Sequence, residues 1–188
     1  MFRLLHKIYV SLGWVMLVAA VGALYLNRAL FDPLIDLVDA LRISDGLEQQ
    51  KNGEVSGTVT RVLKGDMFVL KDEKGRTHTI RLTGIDAPVY QMNNRPEMQR
   101  AFASKTNLSR LILSNEVRVE LTYTNDSHGA LGLAYLGKTN VNVMAVETGI
   151  ARANRDYMNG LPLKDRYALI QAERRARRLE KIRMTNVE

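Results

Sequence analysis

Two kinds of hydrophobic pattern divide this chain: a continuous apolar run near its start and, from Glu54 onward, short alternating segments separated by turns. Ile8 to Leu26 is nineteen residues without a charge. At about 1.5 Å per helical residue that run reaches roughly 28 Å, the thickness of a hydrocarbon core. The pattern predicts a single transmembrane anchor over residues 8–26 behind a cytoplasmic N-terminus, residues 1–7. Tyr9, Trp14 and Tyr25 suit interfacial depths, and Arg3 and Lys7 precede the span while only Arg28 follows it closely, which orients the rest of the chain outside the cytoplasm, on the periplasmic side in a bacterium. The rival reading is a cleaved signal peptide, with Val21-Gly22-Ala23 as the cleavage region and residues 1–23 removed. A retained anchor is the preferred expectation, and export follows from either.

Residues 27–43 then read as an amphipathic juxtamembrane helix. Asp32 is placed to cap it with Pro33 in its first turn, Leu34, Ile35, Leu37, Val38 and Leu41 form an apolar stripe, and Asp36, Asp39 and Arg42 take the other side. An acidic helix is a poor match for anionic lipid. The stripe fits a membrane surface, an apolar groove on another protein, or the helix's own domain. Polar residues 44–53 read as a linker.

From Glu54 the spacing predicts strands. Val55, Gly57, Val59, Arg61 and Leu63 fall on one face of the first, a tight turn at Lys64-Gly65-Asp66 leads into Met67–Leu70, and Thr77–Ile85 forms a third with Arg81 facing away from Ile80 and Leu82. Pro96 opens a helix in which Met98, Ala101, Phe102, Leu108, Leu111 and Ile112 recur at helical spacing. Strands through Val117–Leu121 and Gly132–Leu136 follow, then helices near Val141–Glu147 and from Pro162 toward the end. The expected fold class is an N-terminal transmembrane helix plus an α+β domain over 54–182, a five-stranded OB-fold barrel with about three helices, ending in a tail at 183–188.

Charge sharpens this picture only slightly. The formal net charge is +7, but residues 1–53 hold five basic and five acidic side chains, so the excess belongs to the folded part. Such a domain attracts nucleic acid or anionic headgroups, or is simply soluble. With no cysteine, a disulfide framework and a thiolate metal site are both excluded.

The segments Gly57-Thr58-Val59-Thr60-Arg61-Val62-Leu63-Lys64-Gly65-Asp66, Ile80-Arg81-Leu82-Thr83-Gly84-Ile85-Asp86-Ala87-Pro88, and Val141-Asn142 leading to Val146-Glu147-Thr148-Gly149-Ile150-Ala151, in that order and spacing, resemble the staphylococcal nuclease (thermonuclease-like) family over about residues 54–182. The resemblance implies a calcium-dependent phosphodiesterase site. Asp66 and Asp86, with the Ala87 backbone carbonyl, correspond to the oxygen donors for a hard divalent cation. Arg81 corresponds to the first catalytic arginine, a bidentate donor to a phosphoryl transition state. Tyr157 corresponds roughly to a tyrosine beside the nucleotide, although Arg155 stands where a second tyrosine belongs. The basic run at Arg174, Arg175, Arg177 and Arg178 offers phosphate contacts, or is only the charged face of a last helix.

Two departures carry more weight than these matches. The family's glutamate general base follows the dipeptide after the second aspartate, and here that position is Val89. Its second arginine belongs in a turn that reads Asp126-Ser127-His128-Gly129-Ala130-Leu131 here, and with or without a one-residue gap no arginine falls there. Loss of either group typically costs about 10²–10⁴-fold in rate. His128 and Glu97 are the only replacements in view, the first more simply a turn residue and the second more simply a helix-start acid. Asp66 and Asp86 have plain structural readings as turn and loop residues, with Arg81 as their salt-bridge partner. The expectation is a membrane-anchored, catalytically inactive module, an accessory subunit that meets the membrane and other membrane-protein subunits through residues 8–43 and needs no cofactor. The alternatives are an active extracytoplasmic Ca2+-dependent nuclease and a non-catalytic binder of nucleic acid or anionic lipid.

Overall fold

The computed structural model of the chain describes Met16 and residues 28–43, 53–125 and 129–185. Apart from Met16, the expected anchor over 8–26 lies outside them, as do residues 1–7, the linker up to residue 52, His128 and the last three residues. No helix among the described residues is long and apolar enough to cross a membrane. The first described helix, α1 (Arg28–Arg42), begins upstream of its expected cap, so that Asp32-Pro33 lies within it rather than opening it.

The barrel opens with β1 (Glu54–Lys64), antiparallel to β2 (Met67–Asp72). Pairing runs from Val59↔Leu70 to Arg61↔Val69, leaving Thr60 as an extra residue, and a second irregularity follows between Val62 and Lys64. A bulge resets the inward phase of a strand. Gly57, Val59 and Val62 are therefore buried while Arg61 is exposed, which corrects the expected face at Arg61 and Leu63.

The third strand is divided where one continuous strand was expected. β3 (Thr77–Leu82) ends at a turn, and β4 (Ile85–Asp86) continues separately. Gly84 makes this break: its φ is +75°, and a Cβ there would lie 2.6 Å from Leu169 Cδ1, so a side chain is opposed by both backbone and packing. Asn94 caps α2 (Arg95–Ile112), its Oδ1 accepting from Glu97 N at 3.3 Å. The buried line of α2 is Ala101, Ser104, Leu108 and Ile112, whereas Phe102, one helical step off it, is 70% exposed. Helical recurrence alone groups Phe102 with the core residues.

β5 (Glu116–Asn125) returns antiparallel to the start of β1. β6 (Gly129–Leu136), beginning three residues before the expected Gly132, pairs antiparallel with β5 and parallel with β3 through Ile80↔Ala130, Arg81↔Leu131 and Leu82↔Gly132. That last ladder closes five strands into a barrel around Val59, Phe68, Leu70, Ile80, Leu82, Val119 and Leu133. β7 (Thr139–Asn140) extends β6, α3 (Val141–Glu147) follows, and β8 (Arg152–Ala153) pairs with β4. A 3-10 turn (Arg155–Met158) precedes α4 (Leu163–Thr185), which runs into the expected tail.

At the β2–β3 turn the Asp72 carboxylate accepts hydrogen bonds from Arg76 N at 2.9 Å and Arg76 Nε at 2.8 Å, and it meets His78 Nε2 at 3.0 Å. The His78 contact, with the two from Arg76, holds this carboxyl well below the usual carboxylate range. A depressed folded value stabilises the fold above the unfolded pKa of about 3.9, and the contribution is lost as pH falls from there through the folded value. Asp72→Asn is therefore expected to lower the urea midpoint at neutral pH, with the gap from wild type narrowing under acid. A gap that stays constant down to strongly acidic pH contradicts the assignment.

Candidate active site

Asp66 sits in the β1–β2 turn, is 3% exposed, and is tied to β3 by its carbonyl, which accepts from Leu82 N at 2.8 Å. This turn is pressed onto α2, since a Cβ on Gly65 would overlap Ser104 Oγ and come within 3.0 Å of Ala87 Cβ. Arg81 projects from β3 between two carboxylates. Its Nε donates to Asp66 Oδ2 at 3.1 Å and its Nη2 to Asp86 Oδ1 at 3.3 Å. The Tyr157 ring lies over the same guanidinium, 5.1 Å from centroid to Cζ, within cation–π range. Four of the expected site residues thus converge on one spot, and Ala87 follows directly behind Asp86.

Buried polar contacts hold this constellation. Thr83 Oγ1 donates to Tyr157 O at 3.1 Å, which locks the 3-10 turn beneath the end of β3. The side chain of Asn142, fully buried, donates through Nδ2 to Thr83 O at 2.8 Å and Gly132 O at 3.3 Å, while its Oδ1 accepts from Ala134 N at 3.0 Å. In the sequence Asn142 stands only as part of the Val141-Asn142 motif, and its role as the cross-brace beneath Thr83 belongs to the fold. Asn-Pro-free strand patterns carry no trace of such a brace; an asparagine inside an otherwise apolar helix start was the only hint.

Beyond Asp86 opens a cleft of about 470 Å³ lined by Asp86, Val89, Glu97, Arg100, Arg152, Arg155 and Asp156 among others. Arg152 reaches it because β8 sets this residue in register with Asp86, a long-range pairing with no local sequence signal. Glu97 is occupied by Arg100 at 2.9 Å, consistent with its plain helix-start reading. The three carboxylates and three guanidinium groups on the walls balance in charge, so the cleft offers a polyanion little net attraction.

Burial pushes the Asp66 carboxyl above its ordinary value, with Arg81 only partly offsetting it. A hard divalent cation needs about six to eight oxygen ligands. Arg81 is shared between the two carboxylates and offsets one of their two charges, and the described residues contain no group of three or more acidic or imidazole side chains placed to hold a metal. As it stands, the donor set does not suit a resident Ca2+. Leu131 pairs with Arg81 in the parallel ladder, whereas Ala130 pairs with the fully buried Ile80, so Leu131 is the residue of this segment that stands in register with Arg81.

The basic run on α4 is largely exposed but ion-paired within the protein. Arg175 donates to Glu147 Oε1 through Nε at 3.0 Å and Nη2 at 2.5 Å, Arg177 pairs with Glu173 at 3.1 Å, and Arg174 and Arg178 are also engaged.

A closed five-stranded barrel with this helix order, carrying an aspartate at the β1–β2 turn, an arginine near the end of β3 and a second aspartate in β4, defines a nuclease-type OB-like domain. A family model described as staphylococcal nuclease homologue matches residues 79–182, more than half of the chain, and the chain belongs to that family. A search of curated proteins gives no match.

Proposed function

We propose that this chain is a nuclease-family domain that binds without cutting, held at a membrane by its apolar N-terminal segment and acting as an accessory subunit of a membrane protein complex. One observation carries the reading: Arg81, the one family-type cation at the site, is shared between Asp66 and Asp86, and the position beside them that should activate water is Val89. A valine accepts no proton, and a guanidinium bound to two carboxylates is drawn away from a phosphoryl group. The charge-balanced cleft and the internal pairing of Arg175 and Arg177 support this over a polyanion-binding role. The nineteen-residue uncharged run at 8–26 supports the anchor, and the orientation of its flanking charges supports an extracytoplasmic domain.

A second reading, the extracytoplasmic Ca2+-dependent phosphodiesterase, draws on the cleft, where Glu97 and Arg152 stand with Asp86 as an alternative acid and cation. The two separate in one experiment. The intact protein, purified in mild detergent, is expected to bring a defined membrane partner with it and to release no nucleotides from single-stranded DNA in Ca2+. Ca2+-stimulated release that disappears in Asp86→Asn would overturn the first reading in favour of the second. Salt-sensitive DNA binding without cleavage would instead make it a nucleic-acid binder.

A further inference from the structure

A cavity of about 410 Å³ lies where β6, β7, α3 and the first turns of α4 meet, and it shares no lining residue with the cleft beside Asp86. Val143, Met144 and Ala168 give it an apolar wall, and Tyr135, Glu147 and Asp165 bring polar groups to it. A concave, largely apolar site of a few hundred Å³ with a few polar groups is the form that small-ligand sites take. Glu147 is occupied, accepting from Arg175 Nε at 3.0 Å. Asp165 is different: it is 7% exposed, and its Oδ2 has no hydrogen-bond partner among the described residues. Burial pushes this carboxyl above its ordinary value, the exposed Lys164 beside it offsetting the shift only in part and Glu120 adding to it. The Tyr135 phenol is pushed up to about 12, by burial first and then by Asp165 and Glu120, so it stays an uncharged hydroxyl. A carboxylate in the first turn of a helix suits the helix dipole, which accounts for an aspartate at the start of α4 but not for burying one of its oxygens without a donor.

We propose that this cavity binds a primary ammonium carried on a short aliphatic stem, with the ammonium at Asp165 and the stem along Val143, Met144 and Ala168. The chemistry of the walls selects this class. An anion is repelled by the unpaired carboxylate, and a purely apolar guest leaves it without a donor. A hard divalent cation needs about six to eight oxygens, and the described residues contain no group of three or more acidic or imidazole side chains placed to hold a metal. A guanidinium pairs best with both oxygens of a carboxylate at once, whereas the deficit here is at one oxygen, which suits a point donor. The terminal torsion of aspartate is broad and roughly two-fold, so a turn of the carboxylate brings Oδ2 to the cavity that Asp165 lines. The un-ionised Tyr135 hydroxyl is a further acceptor for the three N–H bonds of an ammonium. The site stands apart from both the proposed anchor and the Arg81 clamp, sharing no residue with either.

Met144, in the cavity wall, provides the readout. The full-length chain, carrying carbon-13 in its methionine methyl groups and held in mild detergent, is titrated with n-butylammonium chloride, with 1-butanol as the same stem without the charge and sodium chloride as the ionic-strength control. The Met144 resonance, assigned by its loss in Met144→Leu, is expected to shift saturably with butylammonium, about tenfold or more tighter than with butanol, and to ignore sodium chloride. Asp165→Asn is expected to weaken butylammonium binding by about tenfold or more, the scale of one hydrogen bond to a charged group. Ala168→Leu fills the cavity and keeps the carboxylate, and it is expected to abolish binding; it carries the test should the Asp165 variant fail to fold. Equal affinity for butylammonium and butanol would overturn the ammonium assignment and leave an apolar pocket. A shift that does not saturate, or binding unchanged in a folded variant of either residue, would overturn the site. Nα-acetyl-lysine N-methylamide, the same stem on a backbone, then separates the sources: binding as tight as that of butylammonium assigns the site to a lysine side chain of another protein, and exclusion assigns it to a free amine, the site standing in both cases.

Discussion

Replacing Asn142 by leucine is expected to cost roughly 2–6 kcal/mol of stability, at about 1–3 kcal/mol for each buried polar group left unpaired. Thr83 O and Ala134 N lose their side-chain partner in this variant, whereas Gly132 O keeps the hydrogen bond from Thr83 N at 3.0 Å. Two orphans, not three, therefore set the magnitude. Leucine fills the volume, so a cavity contributes little. The damage also reaches the site, because Thr83 braces the Tyr157 carbonyl and Tyr157 covers Arg81. The urea midpoint of the variant, followed by far-ultraviolet circular dichroism, checks the stability loss. A change below about 1 kcal/mol, the net worth of a single ordinary hydrogen bond, would mean that the cross-brace is not what fixes the end of β3.

The parts of this fold that sequence makes legible are those in which one residue type has a local consequence. Asp66 and Asp86 belong to turn-forming segments beside glycines, and Arg81 alternates with Ile80 and Leu82, so all three were visible as one constellation. What stayed hidden depends on long-range pairing. Arg152 faces Asp86 only because β4 finds β8, and Leu131 comes into register with Arg81 only because β3 lies beside β6. Periodicity also cannot say which side of an element points inward. It groups Phe102 with Ala101 and Leu108, although Phe102 is exposed, since a recurrence has the same period on whichever side of a helix it falls. The bulge at Thr60 belongs to the same class: two strands of unequal length must be paired before the extra residue shows.

If this site is a hydrolase site with two groups removed, putting them back should produce activity. Val89→Glu restores a carboxylate next to Ala87-Pro88, and Leu131→Arg sets a guanidinium in register with Arg81. Each single change is expected to raise Ca2+-dependent release of nucleotides from single-stranded DNA by about 10²-fold over the wild-type background, and the double variant by more than either, because a general base and a second transition-state donor act on different parts of the barrier. The two changes also act on the clamp. A new carboxylate competes for Arg81, and with that guanidinium drawn off, Asp66 and Asp86 regain the charge a divalent cation needs. The gain should vanish when Asp86→Asn is added, which separates restored chemistry from a contaminating nuclease. Both positions are off the fully buried core, Val89 exposed and Leu131 half-buried, so the variants are expected to fold. A well-folded double variant with no gain would show that the missing base and arginine are not what silences this barrel, and that the Asp66–Arg81–Asp86 clamp is maintained by the scaffold itself.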